Sequence, residues 1–500
     1  MRQSNEMLRR VHGATGFLCL AMVFAGCSDD GEGSDWDVIL EWNAVALEAN
    51  VLDHNGPDVP GDQLSPTQGP PASARVLAMV HGAMFDAYNS IDRRYTPYLV
   101  QVDAAAGASA DAAAAQAAHD VLRALIPAGA SVYEDALERT MQRTTDPQSH
   151  MDGADVGAAV AAQMLAARGG DAAFLGGSYA PTGEPGNRDV DPENPGQSFI
   201  SPDIGGLPPF GVIDVEPFRA PPPPPLPSVE YATAFEEVRR LGAFRGGETG
   251  DEVPNDDLSY VIANFWSYNG SPGLGTPPRL YNQIARVIAA EQDNAVHENA
   301  RLFALINLSM ADAGISAWDT KYAYSYWRPI RGIREADDDG NAATEADPTW
   351  RALGGSRSNP LPGETNFSPP FPAYTSGHAT FGAAAMKMQA NFYQSDDIAF
   401  TFTSDEWNGA TLDQFGRIRP VITRSYDRLS QAAAENAASR VFNGVHWRFD
   451  GTEGVRAGNA IADFIFDNVL RPVQGGGASA LPDADFETQI EEILAGAGAD

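Results

Sequence analysis

Apolar residues recur at the spacing of an α-helix along most of the chain after residue 36. The stripe of Val76, Met79 and Val80 is one example, because residues three and four apart share a helical face. Long runs that alternate apolar and polar residues, which indicate strands, do not occur in the sequence. The chain is therefore predicted to be mainly α. The predicted helices cover residues 36–50, 73–91, 112–125, 131–143, 156–167, 229–241, 255–267 and 279–326.

A segment rich in Gly, Pro and Asp, residues 169–228, interrupts this helical pattern and closes with five consecutive prolines. It is either a long ordered excursion over the surface or a linker between two helical parts. The predicted layout has an N-terminal helical part at 36–241, which includes the segment, and a C-terminal helical bundle at 242–473. A glycine-rich start marks 474–500 as a tail that is expected to be partly disordered.

The chain is strongly acidic, with 67 Asp and Glu against 33 Lys and Arg and a formal net charge of −34. Nucleic-acid binding requires a basic stripe, so the charge argues against a nucleic-acid partner. Any basic site must be local. Lysine occurs only at Lys321 and Lys387, and Lys387 is interpreted as a surface residue of a helix.

The N-terminus has the pattern of a targeting segment. Arg9 and Arg10 precede an apolar stretch at 14–26 that is too short to span a membrane as a stable helix. Residues 1–26 are therefore predicted to be a signal peptide, and the protein is expected to be exported.

The end of this segment, Phe24-Ala25-Gly26-Cys27, resembles a bacterial lipobox. The resemblance implies that Cys27 is lipidated and that the protein is a periplasm-facing or surface lipoprotein, with Ser28 favouring the outer membrane of a Gram-negative bacterium. Residues 27–35 would form a flexible acidic tether. Cys19 would leave with the signal peptide, so the mature chain could form no internal disulfide.

Three short stretches in the second half of the chain carry a set of donors that suits a tetrahedral oxyanion. Lys321, Arg328 and Arg440 supply cations, of which arginine presents a planar fork and lysine a point charge. Ser376 offers a hydroxyl. Gly377 offers a backbone amide if the two residues open a helix, where free N–H groups favour an anion.

Two histidines complete the set. His446 and His378 could bond to the central atom of the anion or move protons beside it. Asp450 follows His446 by four residues, so a helical face would place its carboxylate beside the imidazole and set the tautomer. No chemistry is assigned to five further histidines, which are His54, His81, His119, His150 and His297.

The order K-x6-R-P, then S-G-H, then S-R-x3-G-x-H-x3-D resembles the signature of the vanadium-dependent haloperoxidases and the related type 2 phosphatidic acid phosphatases. The strings PPFPAY at 369–374 and GVHWRFD at 444–450 are most similar to the chloroperoxidase branch. Thr375 departs from the fungal pattern, which has proline there. Threonine is a good N-cap, so the following helix is still expected.

This resemblance implies two packed helical bundles, with vanadate held in the C-terminal one. His446 would ligate the vanadium and His378 would transfer protons. The reaction would use hydrogen peroxide to oxidise a halide to hypohalous acid, which halogenates a small organic acceptor. The implied contacts of the vanadate oxygens are Lys321, Arg328, Ser376, Gly377 and Arg440.

The resemblance also implies roles around this set. Trp318 and Phe371 match aromatic positions on the halide side of chloroperoxidase-like members. Phe371 replaces a histidine found in many bromoperoxidases, which indicates a chloride- and bromide-competent enzyme. Asp450 would support His446. Independently of the resemblance, Asp312 is either a carboxylate that supports one of the arginines or an aspartate on the surface of a helix.

Two other functions fit parts of the sequence. An acid phosphatase of the same superfamily would bind phosphate in this pocket and use His446 as nucleophile and His378 as acid. A lipid phosphatase is disfavoured because no long apolar span follows residue 26. A non-catalytic lipoprotein that binds oxyanions would have little use for His378, so an enzyme is favoured.

Overall fold

A computed structural model describes residues 36–55, 65–143, 146–245 and 257–496 of the chain. The predicted signal peptide at 1–26, the lipidation site Cys27 and the tether at 27–35 lie outside the described residues. In the part that is described, no helix combines the length and hydropathy needed to cross a membrane.

Helices account for nearly all of the regular structure in these residues, which confirms the mainly α prediction. The one sheet found there is an antiparallel pair of strands, β1 (Phe400–Asn408) and β2 (Val421–Tyr426). The α-helices are α1 (Val38–Asp53), α2 (Pro70–Asp92), α3 (Ala110–Leu125), α4 (Ala130–Gln142), α5 (Pro147–Ala167), α6 (Val229–Leu241), α7 (Leu258–Phe265), α8 (Pro277–Glu291), α9 (Val296–Tyr324), α10 (Pro329–Arg334), α11 (Gly377–Tyr393), α12 (Leu429–Phe442), α13 (Arg448–Asn468) and α14 (Phe486–Gly496).

Helix α9 is the central buried helix of the fold. Its residues from Asn299 to Ala317 are all buried, and it packs against α2 on one side and against α11 and α13 on another. Helices α2, α3 and α5 pack on one another, as do α11, α12 and α13. Because α9 is shared by both groups, the predicted boundary between residues 241 and 242 is not decided by this packing and stays a prediction.

The predicted helix at 279–326 is divided in two. Asp293 adopts a left-handed backbone conformation with φ of 54°, which ends α8. The side chain of Glu298 then accepts the N–H of Ala295 at 2.9 Å and caps the start of α9. Apolar periodicity alone does not reveal this short turn, because it spans only residues 292–295 and a helical pattern continues after it.

Residues 169–228 form an ordered excursion and are not a free linker. Arg75 of α2 pairs with Asp171 at 2.6 Å, and Arg219 pairs with Asp319 of α9 at 2.6 Å. The Ile200 N–H donates to the Pro370 carbonyl at 2.9 Å. The excursion is therefore fastened to the helices and reaches the proline-rich stretch that precedes α11.

The strand pair β1–β2 was not predicted. Phe400 and Phe402 point into the core while Thr401 and Thr403 point outward, but this alternation is too short to stand out in the sequence. Phe400 pairs with Tyr426 across the two strands. The ladder becomes irregular between Thr403 and Asn408.

The interpretation of Lys387 as a surface residue is wrong. Its side chain is 7% exposed, and its ammonium pairs with Asp483 at 2.8 Å and Asp463 at 3.6 Å. It also donates to the Leu481 carbonyl at 2.6 Å. We call these contacts of Lys387 with Asp463, Leu481 and Asp483 the Lys387 clamp. After it, α14 buries Phe486, Ile490 and Leu494 and packs on α12, so the described part of the predicted tail belongs to the fold.

We predict that Lys387→Ala lowers the free energy of unfolding by about 2 kcal/mol, because it removes the buried lysine stem and the ammonium that binds the Leu481 carbonyl and two partly exposed carboxylates. Urea denaturation measures the change, and hydrogen exchange locates it at residues 481–494. Arg123→Ala removes an exposed pair with Glu134 and serves as the control, with an expected change below about 0.5 kcal/mol. Equal changes in the two variants would contradict the clamp.

Candidate oxyanion site

Five helix ends converge on the residues that the sequence analysis selected. Lys321 lies in the last turn of α9, and Arg328 and Ser376 are the N-caps of α10 and α11. Arg440 lies in the last turn of α12, and His446 lies two residues before α13. All five side chains are buried. The structure thus assembles a cradle from residues up to 125 positions apart in the chain.

Arg440 is the member whose charge is least compensated. Among the described residues, no hydrogen-bond partner reaches its Nε, Nη1 or Nη2, although the residue is only 1% exposed. Burial lowers its pKa to about 10, which still leaves the guanidinium charged at neutral pH. A buried cation without a partner is costly, so this position is built for an anion.

Arg328 is partly committed to the protein. Its Nε donates to the Phe371 carbonyl at 3.0 Å, and its Nη1 donates to the Val445 carbonyl at 2.7 Å and to His446 Nε2 at 3.0 Å. Its Nη2 has no partner among the described residues. One edge of this guanidinium therefore fixes the cradle, and one nitrogen remains to meet a ligand.

Lys321 was predicted to contact an oxyanion, but its ammonium is bonded to backbone carbonyls. Its ammonium donates to the carbonyls of Pro372 at 2.9 Å, Ala373 at 3.0 Å and Thr375. An ammonium has three protons, so all are used, and contact with an oxyanion requires one carbonyl to be released. Burial and the charge of Arg328 hold the pKa of Lys321 well below its usual value.

The start of α11 supplies the neutral donors. Ser376 Oγ accepts the Ala379 N–H at 3.4 Å, which leaves the hydroxyl proton for another acceptor. The Gly377 amide is the first of the helix, where no preceding carbonyl can take it. A Cβ at Gly377 would lie 3.1 Å from the Trp318 ring, so a larger residue would crowd this entry. The cap is Ser376 and not Thr375, whose carbonyl instead binds Lys321.

His446 and Asp450 form the predicted pair, although His446 precedes the helix that carries Asp450. Nδ1 of His446 donates to Asp450 Oδ2 at 2.8 Å, and the same oxygen accepts the Trp447 N–H at 3.1 Å. Burial together with Arg328 and Lys321 holds the pKa of His446 well below 6.5. The ring is therefore neutral, with its Nε2 lone pair directed to the cationic side.

His378 has the opposite tautomer. A carbonyl can only accept, so its 2.7 Å contact with the Ser267 carbonyl places the proton on Nε2 and leaves the lone pair on Nδ1. Burial and the positive charge of Arg440 hold the pKa of His378 well below 6.5. A neutral imidazole with a free lone pair beside an anion site can accept a proton.

A cavity of about 580 Å³ leads from the cradle to the surface. Gly377, His378, Arg440 and His446 line its inner end. Trp318 and Phe371 line one wall with ring centroids 4.7 Å apart. Six of the predicted site residues thus line one space that a small molecule can enter, while Lys321, Arg328 and Ser376 are not part of its lining.

Sequence reasoning missed the outer half of this cavity. Its lining includes residues 193–198 of the excursion, Arg357 and Phe367, and the Arg357 guanidinium lies 4.2 Å from the centre of the Phe367 ring. The composition of the excursion indicates only a loop, and no spacing in the sequence links it to the cradle. The signal that could have drawn attention to Arg357 is its position 12 residues before the proline-rich stretch at 369–374.

The prediction that Asp312 supports an arginine of the cradle is wrong, because its partners are backbone amides. Its carboxylate accepts the backbone N–H groups of Phe210, Gly211 and Val212 at 2.6, 2.7 and 2.8 Å. It therefore fastens the excursion to α9 and does not bond to an arginine of the cradle. The excursion needs such an acceptor because three adjacent amides of an irregular segment turn inward here.

Comparisons with known proteins find similar sequences and folds over most of the chain. The N-terminal domain of vanadium chloroperoxidase matches residues 29–203, and the second helical-bundle domain of that family matches residues 301–475. The vanadium chloroperoxidase of Curvularia inaequalis is 32% identical over an alignment of 503 residues that covers 84% of this chain and 80% of the relative.

Solved structures share the fold. A bacterial vanadium-dependent iodoperoxidase superposes with a TM-score of 0.66 at 21% identity and covers 89% of this chain and 100% of its own. The holo form of a bacterial vanadium-dependent chloroperoxidase superposes with a TM-score of 0.62 at 16% identity and covers 85% of this chain and 96% of its own.

We predict that Arg440→Met weakens the binding of orthovanadate or phosphate at least about 100-fold, because the anion loses its charge-assisted donors. The same change is expected to raise the melting temperature of the anion-free protein, since an uncompensated buried charge is removed. Thermal unfolding with increasing oxyanion measures both effects. A variant that is less stable without the anion, or equally stabilised by it, would contradict the assignment.

Proposed function

This chain belongs to the vanadium chloroperoxidase family, and on that premise we propose that its cradle binds vanadate and uses hydrogen peroxide to oxidise chloride or bromide. The product would be hypohalous acid, which halogenates a small organic acceptor. The observation that carries the proposal is Arg440, a fully buried guanidinium with no partner among the described residues.

The residues of the cradle fit vanadate. Arg440 and the free Nη2 of Arg328 would meet its oxygens together with the Ser376 hydroxyl and the Gly377 amide. Nε2 of His446 carries the lone pair of a neutral imidazole, the form in which histidine binds metals, and it would exchange its contact with Arg328 Nη1 for the vanadium. When bound, vanadate supplies a Lewis-acid centre that activates hydrogen peroxide.

The remaining residues prepare this site for proton transfer. Asp450 holds Nδ1–H of His446, so His446 keeps Nε2 free of a proton. Nδ1 of His378 would accept a proton from hydrogen peroxide as it binds and return it to the departing product. Lys321 would release one of its three carbonyls to polarise the reacting oxygen.

The aromatic wall supports chloride and bromide as the halides. The cationic groups of Lys321 and Arg328 lie 5.0 and 5.1 Å from the centre of the Phe371 ring. Trp318 packs against the same ring. A halide beside this wall would be held by the two cations while the rings exclude water from its other side.

We also propose that the protein is exported and anchored through lipidated Cys27, on the strength of the lipobox-like segment that ends at this residue. Mass spectrometry of the protein from a Gram-negative host should then find an N-terminal diacylglyceryl cysteine. An unprocessed N-terminus would sink this assignment.

Direct assay tests the activity. We expect the chain lacking residues 1–27, stripped of phosphate and loaded with orthovanadate, to halogenate a dye when given peroxide and either chloride or bromide. The same preparation without vanadate should be inactive. Iodide as the one active halide would refute the halide assignment. Robust phosphatase activity without halogenation by any halide would favour the acid phosphatase, in which His446 is the nucleophile.

Two histidine variants separate binding from turnover. His446→Ala is expected to abolish vanadate retention, because it removes the one proposed bond to the metal. His378→Ala is expected to retain vanadate and to lower kcat by about 100-fold, within the range for loss of a general acid–base group. Retention measured by equilibrium dialysis and kcat measured at saturating vanadate distinguish the two. Equal, mild losses in both variants would contradict the assigned roles.

A further inference from the structure

A buried carboxylate outside the cradle lies one peptide group away from His378. The Ser267 carbonyl accepts the Nε2–H of His378 at 2.7 Å. The N–H at the other end of the same peptide group, that of Tyr268, donates to Glu406 Oε1 at 3.1 Å. His378 and Glu406 therefore bond to opposite ends of one peptide group.

Glu406 is held firmly in this position. It is fully buried on β1, and its Oε2 accepts Arg419 Nη1 at 2.6 Å and the Ser358 hydroxyl at 2.5 Å. Arg419 is the charged group bonded to the carboxylate, and its Nη2 donates to Asn264 at 3.2 Å. Glu406 also lies near enough to Arg440 to raise the pKa of that guanidinium. Both carboxylate oxygens are therefore fixed, one of them on the peptide.

Hydrogen bonds to residues of β1 and to Gln283 fix the Ser267–Tyr268 peptide group. Tyr268 has φ of 43°, a left-handed conformation that is uncommon for a residue other than glycine. Its hydroxyl donates to Gln283 and accepts the Asp405 N–H, both at 2.8 Å. The Ser404 hydroxyl donates to the Phe265 carbonyl at 2.7 Å. Such a conformation persists where its surroundings determine it, and here they turn the carbonyl of Ser267 towards His378.

We propose that Glu406 is a positioning residue for His378 that acts through the Ser267–Tyr268 peptide group. A carboxylate at the amide end of a peptide draws the amide proton towards itself and leaves more negative charge on the carbonyl oxygen. That carbonyl then holds Nε2–H of His378 more firmly and keeps the lone pair on Nδ1. No proton leaves Nε2, since the effect is one of polarisation.

Glu406 counteracts the positive charge of the cradle at His378. Arg440, Lys321 and Arg328 all oppose a positive charge on His378. Glu406 supplies negative charge that acts on the ring through the peptide group, and so raises the affinity of Nδ1 for a proton. The role rests on the proposed function, because it concerns a histidine that transfers protons during turnover.

We call this effect of Glu406 on His378, transmitted by the peptide group, the relay. Nuclear magnetic resonance of the vanadate-free protein tests the relay without an activity measurement. With ¹⁵N-histidine, the His378 signal, assigned by its loss in His378→Gln, should report the Nε2–H tautomer with a strongly downfield proton. In Glu406→Gln that proton should move upfield and the Nδ1–H tautomer should appear. An unchanged His378 signal in Glu406→Gln would overturn the proposal.

Asp413→Asn is the matched control. This carboxylate is buried like Glu406 and pairs with Arg417 at 2.7 Å, and its side-chain hydrogen bonds join residues within 413–417. It should leave the His378 signal in place. An equal shift in Asp413→Asn and Glu406→Gln would overturn a specific relay, because it would reduce the effect to general charge.

Glu406→Gln leaves Arg419 buried without a counter-charge and can unfold the protein. The double variant Glu406→Gln, Arg419→Met removes both charges and addresses that outcome. It should fold and show the same change at His378. A double variant that keeps the parent's His378 signal would show that Glu406 merely neutralises Arg419, and would overturn the proposal.

Turnover gives a second measurement. In the vanadate-loaded protein with peroxide and bromide, Glu406→Gln should lower kcat by about 10-fold, the lower end for loss of a supporting carboxylate, while KM for bromide and vanadate retention stay unchanged. The acid limb of the kcat profile should move to lower pH, because Nδ1 becomes less basic. An unmoved profile would contradict the relay. If the parent protein shows no halogenation, the proposed function fails, while the resonance measurement still decides the relay.

Discussion

The structure depends on one electrostatic constraint, which is the concentration of buried positive charge at a single point. Lys321, Arg328 and Arg440 are buried close enough to act on one another, and Arg440 lines the inner end of the cavity, in a chain whose formal net charge is −34. Water cannot solvate these cations there, so the protein and its ligand must do so. The carbonyls around Lys321 and Arg328 answer part of this need, and Arg440 is left for the anion.

Helix geometry explains how such a point can be built. The last turns of α9 and α12 bring Lys321 and Arg440, which suits cations because the negative end of a helix dipole lies there. The first turn of α11 brings free amides, which suit the anion. The anion, Lys321 and Arg440 thus each occupy the helix end that favours them, whereas Arg328 lies at the N-terminus of α10 and is held by carbonyls instead.

The sequence predicted the cradle better than its surroundings. Arginine, histidine and serine at fixed spacing form local units, and those at Lys321 and Ser376 lie near helix ends that the sequence also predicts. Lys387 and Asp312 were misread because their partners, Asp483 and the amides of 210–212, are distant in the chain. The turn at Tyr268 and the short β1–β2 pair left no periodic signal. A single sequence therefore does not reveal contacts between residues that lie on different elements and far apart in the chain.

Both lysines of this chain face inward. Lys321 is enclosed by carbonyls, Lys387 is clamped beneath α14, and every other basic side chain apart from histidine is an arginine. Hypohalous acids convert primary amines readily to haloamines, whereas guanidinium groups react more slowly. The surface of the described residues consequently offers no lysine amine to the product of the proposed reaction. The burial of both lysines therefore keeps their amines out of reach of the oxidant that the proposed reaction would produce.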